Sequence, residues 1–200
     1  MIMRQLDPDF TLIQATAKVS NVQIGDYTYT ADAIPEFIAY LPTDIIVVGK
    51  FCSLANGAII FGGGEHNTTW VSQYPMRIAF GMEGANEDGH PASKGPTIVG
   101  NDVYLGYHAI VLSGIKVGHG AIIGAGSVVT QDVPDYAIVG GNPARVIKMR
   151  MTDVQIKNML EIKWWDWPIA EIKKAIPYLC SDDIQGFIDY AYRICNQLQK

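Results

Sequence analysis

No cysteine pair sits at the spacing of a metal knuckle, no apolar run is long enough to cross a bilayer, and cations do not outnumber anions. Each absence excludes something. The three cysteines, Cys52, Cys180 and Cys195, form neither a CxxC pair nor an even framework of bridges, so they read as free thiols in a reducing compartment. Apolar runs are of the order of IIVV at 45–48, far below a bilayer span. The opening MIMRQLDPDF lacks the basic and apolar regions of a secretory signal, and the expectation is a cytoplasmic protein with no membrane partner. Lysine and arginine number 15 against 20 acidic residues, a net charge of −5 that gives no general attraction to nucleic acid or anionic lipid. No GxSxG elbow, carboxylate pair or HxxxH set occurs, and His, Cys and carboxylates show no ligand spacing, so no metal is expected.

What is present is a period of six. In TIVGNDVYLGYHAIVLSGIKVGHGAIIGAGSVV, residues 97–129, one column reads Val99, Leu105, Val111, Val117, Ile123, Val129. A second, two residues earlier, reads Thr97, Val103, Ala109, Ile115, Ala121, Ser127. Glycine follows four of the bulky residues (Gly100, Gly106, Gly118, Gly124), where it suits the backbone angles of a tight corner. A hexad period fits neither a helix nor one flat strand. It is the period of a parallel β-helix, in which three hexads make a coil and each coil buries its column on the next.

The same phase occurs at Ile24, Val48, Leu54 and Ile60, with Val22, Ile46, Cys52 and Ala58 in the smaller column. The intervening column positions, Thr30, Glu36 and Pro42, cannot all line a core, so about residues 28–43 are expected to leave the prism. From Ile60 to Val99 is 39 residues, not a whole number of hexads, and 62–96 reads as a long extruded loop. After Val133 the pattern closes with DYAIVGGNPARVIKMRM and turns helical. Thr152 and Gln155 form a capping box for a helix to about Trp165, Pro168 opens a second that Pro177 ends, and Asp182 caps a third. Ile184, Phe187, Ile188, Ala191, Cys195 and Leu198 make its apolar stripe. The expected organisation is a β-helix over 1–150 and a helical tail over 151–200, with Trp164, Trp165 and Trp167 packing the tail on the coils.

A regular prism repeats its side chains, so specific chemistry belongs to the interruptions. The loop opens FGGGEHNTTWVSQYPM, and His66 stands on that glycine-rich exit; histidine is the residue type suited to exchange protons near neutrality, as a general base must. His90, in the same loop, is the alternative base, and either could be merely solvated; His108 and His119 face outward as solvated or interface residues. Arg145, Lys148 and Arg150 within GGNPARVIKMR form a basic cluster that suits a phosphorylated ligand or simply solubilises the approach to the tail.

Taken together, the hexads, GGGEHNTTWVSQYP, VVTQDVPDYAIVGGNPARVIKMRM and EIKWWDWPIAEIKKAIPYLCS resemble the hexapeptide xenobiotic acetyltransferases, over roughly residues 20–192. These are the type B chloramphenicol acetyltransferases and the streptogramin A (virginiamycin) acetyltransferases; KAIPYLCSDDIQGF is similar to the chloramphenicol branch. The resemblance implies a homotrimer of left-handed parallel β-helices, with acetyl-CoA as cosubstrate in the groove between neighbouring prisms and a small hydroxylated molecule as acceptor. It makes His66 the general base, puts Gly106, Ser113, Gly124, Ala125 and Asn142 along the pantetheine arm, and brings Lys148 and Arg150 to the nucleotide phosphates. Tyr27, Tyr29, Trp70 and Tyr74 would shape the acceptor cavity. ADAIPEFIAYLPTD lacks the further tyrosines and histidines of the chloramphenicol branch, and MRIAFGMEGANEDGHPASKGP also departs from it. Two alternatives therefore stay open: a sugar or nucleotide-sugar acceptor, and a non-catalytic trimeric scaffold.

Overall fold

The computed structural model describes residues 21–30 and 35–198, with side chains to Ile194. The chain divides into two compact units, the first ending at Lys148 and the second beginning at Met149. None of the described helices is long and apolar enough to cross a membrane.

The first unit is a parallel β-helix whose strands visit three sheets in rotation. The first sheet stacks β1 (Val22–Ile24), β4 (Ile46–Val48), β7 (Thr97–Val99) and β10 (Lys116–Val117). The second stacks β2 (Tyr29–Thr30), β5 (Ser53–Leu54), β8 (Tyr104–Leu105), β11 (Ile122–Ile123), β13 (Ala137–Gly141) and β14 (Ala144–Met149). The third stacks β3 (Glu36–Ile38), β6 (Ile59–Phe61), β9 (Ile110–Val111) and β12 (Val128–Val129). Registers pair Ile98 with Lys116, Tyr104 with Ile122 and Ile110 with Val128, so one coil is 18 residues, or three hexads. Both columns point inward, because residues two apart on a strand share a face. Val99, Leu105, Val111, Val117, Ile123 and Val129 are buried, as are Thr97, Val103, Ala109, Ile115, Ala121 and Ser127.

The corners correct the role assigned to glycine. Positive φ falls at the third place after Val48, Val99, Leu105 and Val117: Phe51 at 57°, Asp102 at 57°, His108 at 55° and Gly120 at 64°. Glycine at the first place serves close stacking instead, since a Cβ on Gly49 would lie 2.6 Å from the Gly100 carbonyl oxygen of the next coil.

The stretch expected to leave the prism at about 28–43 partly stays in it. Tyr29–Thr30 pairs with Ser53–Leu54, and Phe37 pairs with Ile60, so Phe37 and not Glu36 takes the inward place. That one-residue slip turns Glu36 outward, and Phe37 packs against the core. Residues 31–34 lie outside the described residues. Between β6 and β7 the loop carries one short helix, α1 (Met76–Ala79).

The second unit holds α2 (Asp153–Ile162), a 3₁₀ turn (Trp164–Asp166), α3 (Ile169–Leu179) and α4 (Ile184–Leu198). The Thr152–Gln155 capping box forms, and Lys163 ends α2 in the left-handed conformation, short of Trp165. Pro177 does not stop α3, which runs two residues further; a proline there costs only one bond of the final turn. Asp183 rather than Asp182 caps α4, its Oδ1 accepting the Gly186 N–H at 2.8 Å. Phe187, Ile188 and Ala191 of the stripe are buried, while the side chains of Cys195 and Leu198 lie outside the described residues. Within this unit Trp167 packs on Phe187, ring centroids 6.1 Å apart.

Candidate active site

The loop leaves the third sheet through Gly62, Gly63 and Gly64. A Cβ on Gly63 would collide with the Asp44 carboxylate, and one on Gly64, whose φ is +91°, with the Tyr40 ring. Only glycine lets the turn at 40–44 lie this close beneath the exit. Asp44 is buried, and its Oδ2 accepts the backbone N–H groups of Tyr40 at 2.8 Å and Leu41 at 3.0 Å.

Two strands of the loop then close into a neck. Glu65 and Ala92 exchange backbone hydrogen bonds of 2.9 and 2.7 Å, and Ser93 Oγ donates to the Gly62 carbonyl at 2.7 Å. The Glu65 carboxylate bolts this neck to the coil above. One oxygen accepts from Ser113 Oγ at 2.8 Å, and the other pairs with Lys94 Nζ at 3.0 Å. Ser113 itself is buried.

His66 stands just beyond the neck and is exposed. Its Nδ1 lies 2.6 Å from the Gln73 carbonyl oxygen. A carbonyl can only accept, so Nδ1 carries a proton, and in the neutral ring the lone pair therefore lies on Nε2. The carbonyl is itself fixed by a tight turn, in which Gln73 Nε2 donates to the Asn67 carbonyl at 2.9 Å and the Trp70 N–H to the same oxygen at 3.1 Å. His90, 24 residues further along, is buried, and its ring meets His66 at a centroid distance of 4.5 Å and 84°. The Trp70 ring lies 6.2 Å from that of His90 and tilted to it by 35°. Beyond Trp70 opens a cleft of about 710 Å³, walled by Trp70, Tyr74, Met76 and Met82 and crossed by the Arg77–Asp88 ion pair at 3.1 Å.

The other residues singled out from the sequence are spread along the chain, over the extruded loop, the corners of the coil, the segment around β14 and the start of the second unit. Trp70 and Tyr74 share the cleft beside His90 and His66. Tyr27 and Tyr29 do not join them. Tyr27 stacks on Phe51 at 4.7 Å, at the corner between the first and second sheets, and Tyr29 belongs to β2. Gly106, Gly124 and Ala125 stack at the corner between the second and third sheets, where a Cβ on Gly106 would sit 2.6 Å from the Ala125 nitrogen. Gly106 and Ser113 are buried and offer no side-chain surface to a ligand, whereas Ala125, Asn142, Lys148 and Arg150 are exposed.

Sequence reasoning missed Glu65, the Gln73 carbonyl and the contact between the two histidines. A lone carboxylate inside a glycine-rich exit was the available signal for Glu65; a carbonyl leaves none.

The model of the hexapeptide repeat of succinyl-transferase matches residues 96–131. A chloramphenicol acetyltransferase of Klebsiella aerogenes is 40% identical over 194 residues, covering 90% of this chain and 91% of that one. A probable macrolide acetyltransferase of Lysinibacillus sphaericus is 37% identical over 142 residues, 70% of this chain and 79% of that one. Among solved structures, a maltose O-acetyltransferase from Clostridium difficile is 27% identical, with a TM-score of 0.48 over 65% of this chain and 59% of that one. The two enzyme relatives span most of both chains, and the chain belongs to the hexapeptide-repeat acetyltransferases, in the family of the chloramphenicol acetyltransferases.

Proposed function

We propose that the protein moves the acetyl group of acetyl-CoA directly to a hydroxyl of a small xenobiotic, such as chloramphenicol or a streptogramin A antibiotic, with His66 as general base. The observation that carries this reading is the 2.6 Å contact between His66 Nδ1 and the Gln73 carbonyl, which selects the tautomer whose neutral form has its lone pair on Nε2 of an exposed ring. Nε2 takes the acceptor's hydroxyl proton as its oxygen attacks the thioester carbonyl. The C–S bond then breaks, and the imidazolium returns the proton to the departing thiolate. Between His66 and His90, exposure favours His66, because a buried ring cannot reach an acceptor.

The cleft beside Trp70 and Tyr74 receives the acceptor. Its lining sets Trp70, Tyr74, Met76 and Met82 beside Thr69, Ser72, Arg77 and Asp88, which suits an acceptor with both an aromatic or macrocyclic body and polar groups. Ala125 and Asn142 line the pantetheine arm, with Gly106 and Gly124 keeping that corner narrow and Ser113 acting through Glu65. Lys148 meets the nucleotide phosphates, with Arg150 two residues further along the chain. The active unit is a homotrimer of left-handed β-helices in which a neighbour supplies Tyr27 and Tyr29, and it works in the cytoplasm, where acetyl-CoA is made.

The test follows thiol release from acetyl-CoA with a chromogenic reagent, wild type beside His66→Ala, across chloramphenicol, virginiamycin M and a set of sugars. Acceptor-dependent release that falls by about 10² to 10⁴ in the variant is the expected result. Turnover of sugars alone would overturn the acceptor class, and an unimpaired variant would overturn the base.

A further inference from the structure

We infer that His90 is a positioning residue for the base, holding the plane of the His66 ring through direct ring contact. The inference rests on the reading of His66 as general base. One hydrogen bond fixes one point of an imidazole and leaves the ring free to swing about it. His66 needs a second contact, because it stands beyond the neck with its ring exposed.

His90 supplies that contact. Its ring lies 4.5 Å from that of His66 at an interplanar angle of 84°, so the edge of one imidazole meets the face of the other. His90 is itself firmly seated. It is 7% exposed, the Trp70 ring lies 6.2 Å from its own, and its backbone N–H donates to Asp88 Oδ1 at 3.1 Å. Asp88 Oδ2 is in turn held by Arg77 at 3.1 Å. The chain of contacts from Arg77 through Asp88 and His90 to His66 ties one wall of the acceptor cleft to the orientation of the base.

Burial keeps His90 away from acceptor and solvent, so it acts through His66 and not on the reacting atoms. A residue that merely filled the loop would affect stability without a selective effect on kcat.

The experiment measures kcat and the KM for acetyl-CoA in wild type, His66→Ala, His90→Ala and His90→Phe, with kcat normalised to folded protein by circular dichroism. A base displaced by about an ångström loses up to about 10² in rate, so His90→Ala is expected to lower kcat roughly 10- to 100-fold with KM for acetyl-CoA nearly unchanged. His90→Phe, which restores a ring in the same seat, is expected to recover most of that loss. A wild-type kcat in His90→Ala, or a His90→Phe variant as impaired as His90→Ala, overturns the inference. An unimpaired His66→Ala overturns the base reading itself, so the two failures are distinguishable.

Discussion

Cys52 shows what the stack does to one side chain. It is fully buried at an inward place, and its Sγ points at the Gly100 carbonyl of the next coil, 3.1 Å away. Loss of hydration pushes the thiol from its ordinary value of 9.0 up to about 11, against smaller lowering effects from a Val103 backbone group and the Thr28 side chain. Between those two values the unfolded chain has released this proton while the folded chain holds it. The unfolded state then binds fewer protons, so stability is intact below pH 9.0 and falls as the pH rises towards about 11. At roughly 1.4 kcal/mol per unit the loss is of order 2–3 kcal/mol. Chemical denaturation across that range should give a steeper decline for wild type than for Cys52→Ala; parallel declines would refute it. That Cys52 points inward was legible from the period alone. The reason for the glycines was not, because a sequence shows which residue recurs and not whether a backbone angle or a neighbouring coil demands it.

Among the elements, the neck of the loop depends on Glu65, and magnitudes rank its two partners. The ion pair with Lys94 is largely exposed, Lys94 at 64%, and pairs of that kind contribute about 0.2–1 kcal/mol. The Ser113 hydroxyl is buried at 1%, and stranding a buried donor costs about 1–3 kcal/mol. Glu65→Ala is therefore expected to destabilise clearly more than Lys94→Ala, and adding Ser113→Ala to Glu65→Ala should recover part of the loss. Equal costs for Glu65→Ala and Lys94→Ala in urea melts would show that the ion pair dominates. The ends of this loop were readable, since the apolar phase stops at Ile60 and resumes at Val99. Its interior was not. The meeting of His66 and His90 arises from a fold-back without periodicity, and the slip that brings Phe37 inward breaks the only counting rule available.

For the molecule as a whole, one chain does not gather the expected site. Trp70 and Tyr74 share the cleft near His66, while Tyr27 and Tyr29 stand at the first-to-second-sheet side of the coil. In the proposed trimer, closed rotational symmetry would bring a different corner of a neighbouring chain to each cleft. Sedimentation at micromolar concentration should give three times the 21.9 kDa of the chain, and specific activity should decline on dilution below the assembly range. A fully active monomer would contradict both. The loop has one further consequence. Ile59 pairs with Ile110, 51 positions on, yet the strands stack in the register that a coil of 18 uses elsewhere. Because the neck seals itself, whatever lies between Glu65 and Ala92 is a cassette. Outside His66, the Gln73 carbonyl and His90, its length and lining can change while the stack beneath stays in register, so the range of molecules modified can evolve separately from the scaffold that carries it.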